Sequence, residues 1–311
     1  MLNYILSRLI SASLVIFGVC VLVFLLIHLV PGDPVEMMLG ESARPADREA
    51  LRHALGLDQP VLTQLGHYLN GLVHLDFGTS IHTQLAISEL VEQRIPASIE
   101  LALSALLIAV IIAFPLGIIA AIKKGTFWDS LAMGFSLFGV AIPNFWMGPL
   151  LILVFSLWLG WLPVSGKDGL SSIILPAFTL GTAMAAILAR MIRSTLLEVL
   201  NEDYIRTAMA KGLSQKQVIL NHGLRNAMLP IVTLIGLQLG TLLGGAVITE
   251  KIFSWPGLGQ LTIQSIQSRD YPVVQACVLL ISLSYVIVNV LTDIVYAAID
   301  PRIRLGDDTR D

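Results

Sequence analysis

Few residues of this 311-residue chain are placed to do chemistry, and their spacing excludes most reactions. The six histidines, His28, His53, His67, His74, His82 and His222, form no His-x3-His pair and no Cys/His cluster of the kind that holds a metal. Cys20 and Cys277 both lie in apolar stretches and read as small packing residues, not as ligands or a disulfide. The one Gly-Lys pair, Gly166-Lys167, is followed by Asp168, and Trp161 stands where a phosphate-binding loop needs glycine. Serine, histidine and aspartate occur without a nucleophile elbow or any paired arrangement inside an apolar run. A net charge of −3 with no basic run gives nucleic acid nothing to bind. No catalytic residue, bound cofactor or metal site is expected.

The segment with the most shape is polar. Asp203, Tyr204, Arg206, Thr207, Ala208 and Lys211 form one short helical pattern, acid-led and base-ended as the helix dipole favours. Gly212 is a natural stop, Leu213 follows, and Ser214 with Gln217 makes a capping box that starts a second helix through His222 and Arg225 to Leu229-Pro230. A plain connector could be much shorter. Two short helices about a glycine turn make a projecting element suited to a cleft on a partner protein.

These residues must be positioned by a membrane. Hydrophobic residues make up 55% of the chain and charged residues 13%, with a mean hydropathy of +0.80. An ordinary soluble domain carries about 25% charged residues. A bilayer core needs roughly 20 apolar residues per helix, and six stretches approach or exceed that: 9–30, 101–122, 131–162, 170–189, 228–249 and 273–299. The chain is therefore expected to be all-α, one membrane domain over 1–311, with six transmembrane helices. The third stretch holds Pro143 and Pro149 and is expected to kink at Ile142-Pro143-Asn144.

Placing the N-terminus inside puts 12 of the 19 Lys and Arg, including Arg302, Arg304 and Arg310 of the C-terminal tail, on the cytoplasmic side. Both termini and the loop 198–228 are then cytoplasmic, and 31–100 is external. Within that external loop, Val61, Leu65, Leu69 and Leu72 predict an amphipathic helix with Pro60 in its first turn.

Four features in or beside the spans need a role. Gly236, Gly240 and Gly244 recur every four residues, for close helix packing or for a face along a path. Asn144, Gln238 and Thr241 are polar within spans and are candidates to line such a path. Asp293 is about two turns from the cytoplasmic end of the last span, where Arg190 or Arg193 could pair with it. Trp255-Pro256-Gly257 would cap an external loop or anchor at the interface.

The loop from Asp203 to Pro230 resembles the signature loop of ATP-binding-cassette importer permeases. Aligned on Gly212, Arg206, Thr207, His222 and Arg225 depart from the general pattern and match its dipeptide, oligopeptide and nickel branch. Pro31-Gly32-Asp33-Pro34, Leu55-Gly56-Leu57-Asp58-Gln59-Pro60, Asp76-Phe77-Gly78, Phe253-Ser254-Trp255-Pro256-Gly257-Leu258-Gly259 and Arg269-Asp270-Tyr271-Pro272 are similar to the same branch, closest to its first (B-type) dipeptide permease subunit. The resemblance implies a type I importer fold in a bacterial inner membrane. It implies a homologous second permease, two cytoplasmic ATPases that use ATP and Mg, and an external binding protein. The cargo implied is a di- or oligopeptide, with glutathione or a nickel chelate as alternatives. A secondary transporter working alone would need coupling-ion residues that the spans lack.

Overall fold

Apolar runs that must satisfy every backbone N–H and C=O without water have one local solution, the helix. The computed structural model describes residues 2–29, 33–40, 43–54 and 56–299. Val30, Pro31, Gly32 and Leu55 of the quoted motifs and boundaries, and Arg302, Arg304 and Arg310 of the tail, lie outside them.

Among the described residues the regular elements are all helices, with one isolated bridge between Thr79 and Ala86. In order they form α1 (Leu2–Leu29), α2 (Pro34–Leu39), α3 (Pro45–Ala54), α4 (Val61–Val73), α5 (Ile87–Glu92), α6 (Ile95–Ile122), α7 (Phe127–Ala141) and α8 (Asn144–Leu151). A π-helical run, Ile152–Trp158, extends α8. There follow α9 (Ile174–Leu200), α10 (Asp203–Ala210), α11 (Gln215–Gln217), a second π-helical run (Val218–Leu224), α12 (Arg225–Gly245), α13 (Val247–Ile252), α14 (Leu258–Gln267) and α15 (Tyr271–Ile299).

The molecule is built around α6 and α9. Along α6 the residues Ala105, Ala109, Ala113, Gly117 and Ala121 recur every four positions and are buried. Small residues on one stripe let two backbones approach. A Cβ added at Gly117 would lie 2.7 Å from Cβ of Ile192 and 2.8 Å from the Ala189 carbonyl oxygen. The contact is reciprocal: a Cβ at Gly181 of α9 would lie 2.8 Å from the Ala105 carbonyl oxygen.

The third apolar stretch is not one rod. α7 and the helix starting at Asn144 meet at 101°, with Ile142 and Pro143 in extended conformation between them. Proline has no N–H to continue the helix and biases the residue before it away from the α region, so the break falls where Pro143 predicts a kink. Its size depends on neighbours: α7 packs on α9 through Gly139, and α8 on Ile252 and Phe253 through Gly148.

α4 lies where the spacing of Val61, Leu65, Leu69 and Leu72 predicts a helix. Its Tyr68, Leu69 and Leu72 pack with Cys20, Val23 and Leu279, so the helix is covered by α1 and α15. Pro60 is its N-cap, one residue before the first turn.

The pairing expected for Asp293 is corrected. It bonds Arg8 at 3.2 Å, whereas Arg193 is taken by Asp129 and Arg190 is exposed. The reason is packing: α15 lies beside α1, and Arg193 faces the start of α7. Because the Arg8 side chain is 48% exposed, Arg8→Ala is expected to cost no more than ~1 kcal/mol. Thermal unfolding of the purified protein checks this, and a loss of several kcal/mol would contradict it.

Candidate functional site

The projecting element is a helical hairpin with its own small core. α10 begins with Asp203 in its first turn and ends at Lys211. Gly212 then takes φ +82°, the left-handed conformation that side chains with a Cβ rarely adopt. Its N–H donates to the Met209 carbonyl at 3.0 Å, and the Leu213 N–H donates to that of Ala208 at 3.4 Å, so the helix end is closed.

Ser214 starts the second arm. Its hydroxyl accepts from the Gln217 N–H at 3.4 Å, and the Gln217 side-chain oxygen accepts from the Ser214 N–H at 3.1 Å. Both halves of the capping box are present. Ile205, Ala208 and Val218 close the interior between the arms, backed by Val199 and Leu200 at the end of α9. At the base, Asn226 donates to the Tyr204 hydroxyl at 3.0 Å and to the His222 carbonyl at 2.8 Å.

The second arm does not end at Leu229-Pro230. The helix runs on from Gln215 through the π-helical turn into α12, with Pro230 inside it. A proline removes one backbone donor and crowds the preceding turn, and a local widening to π geometry accommodates such defects in membrane helices. The wide turn ends immediately before α12 and contains Gly223, whose absent Cβ would lie 3.1 Å from Leu196. The second arm is therefore continuous with α12, and the first joins α9 through the short turn at Asn201 and Glu202, in which Glu202 is extended. The hairpin projects from two long helices and packs on the end of α9 through Val199 and Leu200.

Its surface is polar with an apolar tip. Asp203, Tyr204, Arg206, Thr207, Lys211, Gly212, Leu213, Ser214 and Arg225 are exposed, as are Met209 and Leu220. Ala208 is buried in the hairpin core and His222 is half-buried. Arg206 and Asp203 approach to 3.5 Å while both remain largely in solvent, so the pair contributes little to stability and is free to be rearranged by a partner. Asn226 and Gly223 were not singled out by sequence reasoning. Their signal was available in the i+4 spacing of Asn226 from His222 and in a lone glycine within an apolar helix.

The other candidates are scattered. Gly236 and Gly240 serve packing within the chain: an added Cβ would lie 2.2 Å from Oγ1 of Thr292 and 2.8 Å from the Tyr285 ring, both on α15. Gly244 lies on the same helix, and its surroundings are outside the described residues. Gln238 is buried on the stripe of Ile231 and Leu242 that faces the α6–α9 core, and its amide makes no hydrogen bond. It does not line an open surface. Thr241 is exposed and donates to the Gln238 carbonyl, and Asn144 is half-buried at the break. No group of three His, Cys, Asp or Glu is placed to hold a metal among the described residues.

The short helix α13, just beyond α12, carries a feature that sequence reasoning missed. Glu250 is 1% exposed, and its carboxylate accepts from the Ser98 hydroxyl at 2.6 Å and the Gln260 N–H at 2.9 Å. Ser98 in turn accepts from the Leu258 N–H, and the fully buried Trp255 donates to the Ala97 carbonyl, both at 2.8 Å. Trp255 is thus a core residue, not an interfacial anchor. The turn 253–258 is pinned on α6, and Gly257 is required because a Cβ there would lie 2.2 Å from the Glu250 carboxylate.

Comparison with known proteins joins these parts. Residues 113–305 match the binding-protein-dependent transport system inner membrane component, and residues 1–102 match the N-terminal model of such membrane components. The chain is 46% identical over 304 residues to the glutathione transport system permease protein GsiC of Escherichia coli K12, covering 98% of this chain and 99% of that one. The GsiC protein of Shigella flexneri serotype 5b is similar to the same degree. Among solved structures, a chain of the MetNI methionine ABC transporter in an inward-facing conformation superposes with a TM-score of 0.59 at 18% identity, over 68% of this chain and 96% of that one. That likeness concerns the fold.

Proposed function

The chain belongs to the binding-protein-dependent transport system inner membrane components, and on that premise we propose that it imports small peptides, glutathione among them, as one half of a translocation path. It is the multi-pass inner-membrane permease subunit of an ATP-binding-cassette importer, with the type I fold, and works with other subunits of that machine. The partners proposed are a homologous second permease, two cytoplasmic ATPases and an external binding protein. ATP and Mg belong to the ATPases, and this chain is non-catalytic. Its termini and hairpin are cytoplasmic; the Arg8–Asp293 pair, which joins the start of α1 to the last turns of α15, supports placing both termini on one side.

The observation that carries the coupling role is the hairpin of Asp203–Gly223: exposed, internally packed, seated on the end of α9 and continuous with α12. A partner cleft that closes on it moves α12, which runs into the second arm without a break, and presses on α9 through Val199 and Leu200. Switching between two packed arrangements at such an interface alternates the side on which the path is open. The substrate rests on the 46% identity to a glutathione permease. Glutathione is itself a tripeptide, so the two readings share one recognition chemistry.

The test is uptake in proteoliposomes containing the complete complex and its own binding protein. ATP-dependent accumulation of labelled glutathione, competed by short peptides, is the expected result. Accumulation of a nickel chelate instead would replace the substrate, and uptake by this chain alone would replace the mechanism with secondary transport.

A further inference from the structure

Asp129 and Arg193 form the most complete ion pair among the described residues. The Arg193 guanidinium donates to both carboxylate oxygens, Nε to Oδ1 at 2.7 Å and a terminal nitrogen to Oδ2 at 2.8 Å. The Gly125 N–H adds a third bond to Oδ2 at 2.9 Å. The Asp129 side chain is 8% exposed and that of Arg193 27%. Two parallel bonds fix the direction between the partners as well as their distance, which one lysine ammonium could not do.

The position of the pair is what gives it meaning. Arg193 lies on the part of α9 that forms the base of the hairpin. One turn on, Leu196 packs with Ala121 of α6 and Ile219 of the second arm; Val199 and Leu200 then back the hairpin core. Asp129 lies in the first turn of α7, the helix that runs to the 101° break at Ile142-Pro143. Beyond the break, α8 meets Ile252 and Phe253 through Gly148. Those residues lead into the turn that Glu250 and Trp255 pin on α6. A chain of direct contacts thus runs from hairpin to α9, through the ion pair to α7, and across the break to the opposite end of the molecule.

We propose that Asp129 and Arg193 are positioning residues for coupling: they oblige α7, and with it the broken third span, to move with the hairpin when the ATPase closes on it. This rests on the importer reading above and adds a route through the third span to the one through α9 and α12. A pair that served only to place positive charge at the membrane surface would tolerate lysine at 193. A coupling clamp requires the fork.

The experiment uses the whole complex in proteoliposomes, with its binding protein and glutathione as the transported probe. Three variants are compared: Asp129→Asn, Arg193→Lys, and the exchange Asp129→Arg with Arg193→Asp. Expected are normal co-purification of the subunits and basal ATPase activity within about twofold of the parent. Binding-protein-stimulated ATPase and uptake should fall roughly tenfold in Asp129→Asn, within the 5–150-fold span of ordinary coupling free energies. Arg193→Lys should lose part of the coupling, and the exchange, which restores an opposite-charge pair, should regain part of what Asp129→Asn loses. Parent-like stimulation and uptake in Asp129→Asn or in Arg193→Lys would overturn the clamp and leave the importer reading standing. Loss of assembly in both single variants would assign the pair to folding and overturn it equally. A parent complex without ATP-dependent uptake would overturn the importer reading, and the clamp with it.

Discussion

Replacing Gly212 with valine is expected to leave membrane insertion intact and to abolish transport. An added Cβ at Gly212 meets nothing within 4 Å, so the effect is not a clash with another part of the chain. It is conformational. At φ +82° a β-branched side chain is a severe outlier, costing on the order of 1–3 kcal/mol, and the turn can relieve that only by changing the angle between its arms. The arms are held by few groups: Ile205, Ala208 and Val218 inside, the Asn226–Tyr204 hydrogen bond at the base and the Ser214 cap. Fields of a few kcal/mol are enough to misplace them. Gly212→Asn, whose side chain tolerates the left-handed region, should retain most activity. Uptake and stimulated ATPase of the two variants in the assembled complex decide the matter: equal activity of valine and glycine would show that the turn angle is irrelevant to docking.

A larger loss of stability is expected from Gly117→Val. Here the contact is with backbone: the new Cβ would fall 2.8 Å from the Ala189 carbonyl oxygen and 2.7 Å from Cβ of Ile192. A flexible side-chain end could swing away, but a helix backbone and a β-branched stem cannot. α6 and α9 would have to separate along the stripe that includes Ala109, Ala113 and Gly181. Overpacking in a tight core costs about 1–3 kcal/mol and occasionally more. Because the neighbour here is backbone and a β-branched stem, the upper part of that range applies. Gly134→Val is the matched control, because nothing lies within 4 Å of its added Cβ. Thermal unfolding of the purified variants should show a clear fall for Gly117→Val and little change for Gly134→Val. Equal midpoints would mean that the two helices are not held at this distance.

The contrast between these two glycines bears on what can be read before folding is known. Gly212 stands out in the sequence because its neighbours announce a helix end and a capping box, all within five residues. Gly117 belongs to a pattern that is equally visible, small residues every four positions from Ala105 to Ala121, yet Gly236, Gly240 and Gly244 draw the eye first. Both stripes turn out to be packing faces within the chain, since Gly236 and Gly240 meet Thr292 and Tyr285. Spacing alone names a face that another helix can approach closely. It does not name the helix.

The same limit explains the ion pairs. Asp293 was a sound candidate for a partner, because a carboxylate near the end of an apolar helix is costly alone. Its partner proved to be Arg8, at the other end of the chain. Charge and depth restrict the choice to several arginines, and only the order in which helices pack selects one. Glu250 went unnoticed for a related reason. It follows an apolar stretch and reads as the point where a helix leaves the membrane, yet the chain turns back and buries it against Ser98.

What the sequence determined by itself about this protein is what depends on neighbours within a turn or two: the helices, the break at Pro143, the glycine turn at 212 and the cap at Ser214. Composition adds the membrane, because 55% hydrophobic residues leave no soluble alternative with a polar surface. Tertiary structure alone decided the 101° bend, the continuity of the hairpin with α12, and which arginine meets which aspartate. Those outcomes depend on contacts between residues tens to hundreds of positions apart, and many packings satisfy the same local rules. Only the one that fits every helix face at once fixes how the projecting loop sits on α9 and runs into α12.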